Sequence, residues 1–361
     1  MKRTVTDLYS AYYAPYIKES YRADEAIFKS RFQKTWLVLF IVALVILPPL
    51  MGSYTAFFMT QVIIAIVGAH GLNILLGYTG QISLGHAAFL GVGGYTCSYL
   101  IMVLHWPFWL AVPAAGFVSA AIGLFIGIPS LRIKGIYLGV ATIAFQFIAD
   151  YTYFNWISFS GGPQGRAVEA PTIFGYAMTS RLSFYYICLF VAFVLLWGAK
   201  NLMRSKFGRS LMAVRDNDIS AEALGVPVFK YKLLAFTISS FYAGVAGALL
   251  VIHLRNVFPA FFHLNVSIEY LAIIIVGGMG TVIGSIFGAI FIILVPELLS
   301  NLISIIAQLT KSPDLTVLMA PMRLIVHGFL IILFIIIEPA GLAGIWRKIS
   351  NYWKIWPLPY V

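Results

Sequence analysis

The sequence predicts an all-α integral membrane protein of about ten transmembrane helices, built from inverted structural repeats and broken helices. Three observations predict it. Of the 361 residues 61% are hydrophobic and only 10% charged, with a mean hydropathy of +0.91, far too apolar for a soluble protein of this size. Apolar runs of roughly 20 residues, the length that crosses a ~30 Å hydrocarbon core, recur along the whole chain. Two of these runs are interrupted by glycines, with polar side chains at the first, at residues 80–86 and 277–280.

In chain order, residues 1–34 form a leader that mixes basic and acidic residues with tyrosines such as Tyr9, Tyr12, Tyr13 and Tyr16. That composition suits either a segment lying in the membrane interface or a solvated tail. Spans follow at 35–52, 55–77, 82–103, 108–128, 135–153, 182–199, 232–253, 266–279, 283–302 and 322–342, within a transmembrane domain over 35–345. A short tail, 346–361, closes the chain.

The third span opens on Gly80-Gln81-Ile82-Ser83-Leu84-Gly85-His86-Ala87-Ala88-Phe89. Polar side chains at bilayer depth are costly and are tolerated where a helix breaks beside a cavity or a neighbouring helix. Gln81, Ser83 and His86 therefore either line a route for a solute or hydrogen-bond one helix to the next. The segment 266–279 is about 14 residues, which as a straight helix reaches only ~21 Å. It ends in a second break, carried by Gly277, Gly278 and Gly280. Two interrupted segments in the two halves of a chain point to inverted repeats with the pathway between them.

Charge sets the orientation. The 24 Lys and Arg against 13 Asp and Glu give a net charge of +11. Here the excess of basic residues in cytoplasmic loops accounts for it, and no nucleic-acid partner is implied. The leader, Arg132 with Lys134, the loop 200–232 and the C-terminal Arg347, Lys348 and Lys354 all fall on one side of a ten-span chain, which is then the cytoplasm. The loops 154–181 and 303–321 fall outside. Within 200–232, Arg209–Arg215 and Asp218–Leu224 read as short helices. Asp216, Asn217 or Asp218 can cap the second, and Gly225 with Pro227 can stop it.

Small residues one turn apart, Gly280, Gly284 and Gly288, then Ala243 with Gly247 and Gly244 with Ala248, mark close helix crossings. Several chemistries are excluded or disfavoured. There is no G-x-x-x-x-G-K-[ST], so the chain holds no nucleotide through a P-loop, and the stretch from Ser160 to Gly165 lacks that lysine and reads as a turn. No catalytic triad, metal-spaced histidine cluster or carboxylate pair stands out, so neither an enzyme nor a cofactor is expected. Asp150, Glu269 and Glu338 lie near span ends and Glu297 in the outer third of its span, away from the midplane where ion-coupling groups gather. The two cysteines, Cys97 and Cys188, read as small buried hydrophobes.

The motif Gly80–Gly91 resembles the signature of the LivM/LivH permeases of branched-chain amino acid ABC importers. So do Leu131–Leu138 with Ala141–Phe145, Gly208–Asp218 with Ala221–Val226, Gly277–Thr281 and Glu338–Leu342, in the same order over roughly residues 55–345. The long leader, the pattern from Arg132 to Tyr137 and the C-terminal ending favour the LivM side. Ser160 departs mildly, where threonine is common, and Ser285 stands where relatives often have proline, which makes the local helix break softer. The resemblance implies a multi-pass permease subunit in a bacterial inner membrane. Its partners would be a second, LivH-like permease, two cytoplasmic ATP-binding subunits and a periplasmic binding protein that delivers leucine, isoleucine or valine. It also implies that Arg215, Glu222, Ala223 and Gly225 belong to the loop that couples to the ATPases. Urea or short amides are the alternative substrates within that family, and a stand-alone secondary transporter or channel is the rival from another class.

Overall fold

In the computed structural model, the described residues are 31–130, 136–169, 171–173, 176–177, 180–310, 325, 328–329, 331–333, 336–338 and 340–355. Two compact units divide the chain. One comprises Met1–Ala56 and Arg347–Val361, the other Phe57–Trp346.

The elements are α1 (Arg31–Thr79), α2 (His86–Met102), α3 (Phe108–Ser130), α4 (Ile136–Asn155), α5 (Ile157–Ser160), α6 (Arg181–Arg204), α7 (Lys206–Asp216), α8 (Asp218–Ala223), α9 (Val228–Leu254), α10 (Leu264–Gly277), α11 (Val282–Thr310) and α12 (Gly341–Ile355). In the first unit, α1 carries Pro48 and Pro49, which remove two backbone donors, and the helix is interrupted just beyond them at Gly52 (φ 88°, ψ 175°). The helical expectation is modified by two small antiparallel ladders. β1 (Arg166–Ala167) pairs with β4 (Asn256–Val257), with Arg166 opposite Val257, and β2 (Thr172–Ile173) pairs with β3 (Tyr176–Ala177).

Five helical segments among the described residues are long and apolar enough to cross a membrane: Gly52–Thr79, Phe108–Ser130, Arg181–Arg204, Val228–Leu254 and Pro259–Gly277. The last joins α10 to the short 3-10 turn before it, Pro259–Phe262, and so reaches 19 residues where 266–279 alone was expected to fall short. α2, at 17 residues, and the apolar segment Val282–Leu298 are shorter, and α4 is not among the five. The expected leader lies almost wholly outside the described residues, as do Arg132 with Lys134 and most of the expected span 322–342.

The centre of the second unit is α2, in which every residue from His86 to Ser98 is buried. It packs on α9, which also packs on α3. These crossings are close because glycines face backbone. A Cβ on Gly93 would collide with the Gly244 carbonyl, one on Gly247 with the Leu90 carbonyl, and one on Gly244 with the side chain of Ser119. α10 and α11 form a second tight pair, in which Gly277 meets Gly284 and Gly288 meets Ile273. In lipid no hydrophobic force drives helices together, so this backbone approach supplies the packing energy. Large apolar side chains such as Phe117, Phe125, Phe147 and Phe190 point outward on α3, α4 and α6, as a lipid-facing surface requires.

Candidate functional site at the two helix breaks

The third expected span starts four residues later than its apolar pattern. α1 ends at Thr79, residues 80–85 are unwound, and α2 begins at His86. Gly80 (φ +69°) allows the turn. At the second break α10 ends at Gly277 and α11 begins at Val282, with Gly278 (φ +111°) and Gly280 (φ +72°) between them. Both sites expected from the sequence are thus interruptions in the helical backbone.

Each break leaves helix-end amides and carbonyls without intrahelical partners, which at bilayer depth must be satisfied by protein. At the first break, Thr142 Oγ1 accepts from Leu84 N at 2.9 Å, Ser267 Oγ from Ala87 N at 2.8 Å and Gln146 Oε1 from Ala88 N at 2.8 Å. Gln146 also donates from Nε2 to Phe262 O at 2.7 Å and to Asp150 Oδ1 at 3.0 Å. α4 and α10 therefore cap the start of α2. At the second break, Gly280 N donates to Asn73 Oδ1 at 2.8 Å, while Asn73 Nδ2 donates to Thr281 O at 2.8 Å and Ser285 Oγ at 3.0 Å. His70 Nδ1 lies 3.2 Å from the same Ser285 Oγ. α1 holds the second break as α10 helps to hold the first.

The residues singled out in the sequence are brought to these two places. Gln81, Ser83 and His86 are buried, at 4%, 2% and 2% exposure. Gln81 Nε2 donates to Thr79 Oγ1 at 3.2 Å and to Lys232 O at 3.3 Å. His86 Nε2 lies 2.9 Å from Gly68 O. A carbonyl only accepts, so this nitrogen carries the proton. Gly277 packs on α11, and a Cβ on Gly278 would come within 2.7 Å of Ala340 O. A Cβ on Gly77 of α1 would collide with Gly280 N, so the two breaks adjoin.

In the loop 200–232 both expected helices form, as α7 and α8. Asn217 is the cap, its Oδ1 accepting from Ser220 N at 2.9 Å. α8 closes in a Schellman motif, with Val226 N on Ala221 O at 3.0 Å and Gly225 N (φ +83°) on Glu222 O at 2.9 Å. Glu222, Ala223 and Gly225 are exposed, beside Ile219 at 72% and Leu224 at 83% exposure. Arg215 points the other way. Its Nη1 donates to Gly77 O at 3.0 Å, and Nε and Nη2 both reach Asp216 Oδ1 at 3.0 Å.

Sequence reasoning passed over Asn73, Gln146, Thr142 and Ser267, the side chains that satisfy the breaks. Their signal was present, since an Asn and a Gln inside otherwise apolar spans demand partners. Asp150, weighed from sequence as a coupling carboxylate, lies 3.3 Å from His263 Nδ1. Ser285, expected to soften the second break, accepts the bond from Asn73 there.

The family model of the branched-chain amino acid transport system permease component matches residues 54–335. The high-affinity branched-chain amino acid transport system permease proteins LivM of Salmonella typhimurium and of Escherichia coli are each 32% identical to this chain over 293 residues, covering 74% of it and 69% of theirs. The probable LivM of Methanocaldococcus jannaschii is 25% identical over 240 residues, 64% of this chain and 67% of its own.

Proposed function

Since the chain belongs to the branched-chain amino acid transport permease family, we propose that it moves leucine, isoleucine and valine across a bacterial inner membrane as the LivM-like subunit of an ABC importer. Its energy comes from two ATP-binding subunits on the cytoplasmic side, a LivH-like permease completes the membrane part, and a periplasmic binding protein delivers the substrate. The chain has no P-loop of its own, so hydrolysis must be supplied by a partner.

The observation that carries this reading is the adjacency of the two breaks to the loop 200–232. Gly77 packs on Gly280, and Arg215 of that loop bonds Gly77 O. Two helix interruptions related by reciprocal bonding, Asn73 into the second and Ser267 into the first, fit an inverted repeat with a route beside Gln81, Ser83, His86, Gly277, Gly278 and Gly280. The exposed side of α8, with Ile219, Glu222, Ala223 and Leu224, is the ATPase-facing surface, bounded by Gly225. Its apolar exposure in a polar loop is what a docking contact uses.

Isolation of the tagged chain from its native membrane in mild detergent tests this. The expected companions are a second permease and an ATPase. Glu222→Lys, which places like charge in the contact at a cost of several kcal/mol, is expected to lose the ATPase while the chain still inserts. A wild-type chain that comes out alone, or a Glu222→Lys chain that keeps its ATPase, contradicts the assignment.

A further inference from the structure

We propose that Arg215 is the positioning residue through which movement of the loop 200–232 reaches both helix breaks. The proposal rests on the ATPase-coupled reading above and deepens it, because it assigns Arg215 an inward role and leaves partner contact to α8.

The guanidinium sits in the angle between the two breaks. Gly77 belongs to the last turn of α1, where carbonyls run out of intrahelical donors. Gly80 N and Gln81 N bond Leu76 O and Leu75 O, at 3.0 and 3.2 Å, and Arg215 Nη1 supplies the donor for Gly77 O. A cation at that end also opposes the negative end of the helix dipole. The same side chain fills the space left by both unwinding glycines. A Cβ on Gly80 would stand 3.4 Å from Arg215 Cγ, and a Cβ on Gly280 would stand 3.2 Å from Arg215 Nη1.

From Gly77 the contact continues without a gap. Gly77 packs on Gly280, whose N–H is held by Asn73, which in turn bonds Thr281 O and Ser285 Oγ at the start of α11. The far end of the loop grips the first break too. Lys232 Nζ pairs with Asp218 of α8 at 3.3 Å, and Lys232 O accepts from Gln81 Nε2 at 3.3 Å. The loop thus holds the first break at Gly77 and at Gln81. Asp216 Oδ1, on the same helix, also engages Nε and Nη2 and favours the guanidinium orientation that meets Gly77 O. A displacement of α7 therefore pulls on Gly77 O and shifts Gly280 with it, a contiguous link of the kind that energetic coupling requires.

The test uses the whole importer with radiolabelled leucine as probe, and reads three quantities: ATPase retained, ATP hydrolysed, and leucine imported per ATP. Arg215→Ala is expected to retain the ATPase and hydrolyse ATP while leucine imported per ATP falls at least tenfold. Arg215→Lys, which keeps the positive charge and a donor, is expected to restore part of that ratio. Asp216→Ala, at an exposed position, lowers it severalfold and decides the matter if Arg215→Ala does not fold or insert. An unchanged ratio in Arg215→Ala or Asp216→Ala overturns the proposal, and so does loss of the ATPase from an inserted Arg215→Ala, which would make Arg215 a docking residue. A wild-type chain that carries no ATPase overturns the underlying reading instead, and is distinguished by that result alone.

Discussion

Gly280 donates its backbone N–H to the side-chain oxygen of Asn73 at 2.8 Å across 207 positions of sequence. Asn73 is fully buried and returns both contacts of its amide nitrogen to the same break, on Thr281 O and Ser285 Oγ. One amide thus takes the place that intrahelical partners would fill where α10 gives way to α11.

Asn73→Leu keeps the volume and removes all three bonds. Each buried group left unsatisfied costs about 1–3 kcal/mol, so the variant is expected to melt several degrees below wild type in detergent. An unchanged melting temperature would mean that water or lipid replaces Asn73 at the second break.

The first break makes the matching case. Gln146 is fully buried and serves Ala88 N, Phe262 O and Asp150 together. Gln146→Glu keeps the acceptor for Ala88 N but loses the donor to Phe262 O and sets a second carboxylate beside Asp150, whereas Gln146→Leu loses everything. Both are expected to lower thermal stability, by about 1–3 kcal/mol or more. Wild-type stability of Gln146→Leu would show that the start of α2 needs no cap from Gln146.

How much of this could be read from the sequence depends on what kind of signal each residue carries. The breaks were legible because glycine and polar residues interrupt an apolar run, and residues 80–85 and 278–281 are indeed unwound. The small α8 was legible to within a residue, since Asn217, one of three candidate caps, and Gly225 carry local capping chemistry that needs only near neighbours. The partners of the breaks were not. Asn73 meets Gly280, and Gln146 meets Phe262, through tertiary packing that no local pattern encodes. Arg215 shows the same limit, for its motif marks the loop but not the inward direction of its side chain.

Gly247 and Gly198 give a paired prediction on packing. A methyl on Gly247 would collide with the Leu90 carbonyl, whereas Gly198 faces open space. Gly247→Ala is expected to destabilise the chain or abolish its accumulation, and Gly198→Ala to be neutral or to stabilise by up to about 1 kcal/mol through helix propensity. Equal melting temperatures for the two would refute the close crossing of α2 and α9.

Topology follows from the basic loops. Both native cysteines are fully buried, so replacing them yields a silent background. Single cysteines at Arg204 and at the exposed Gln164 are expected to react with an impermeant reagent from opposite sides of the membrane. Labelling from the same side refutes the orientation.

We propose that leucine crosses through this chain at the expense of ATP hydrolysed by its partners. The direct measurement is leucine uptake into proteoliposomes containing the complex of this chain with its second permease and ATPases, supplied with the binding protein. Uptake is expected to require both ATP and the binding protein and to vanish when the ATPases are omitted. Uptake by this chain alone under an imposed ion gradient, or ATP hydrolysis by the full complex with no leucine moved, would contradict it.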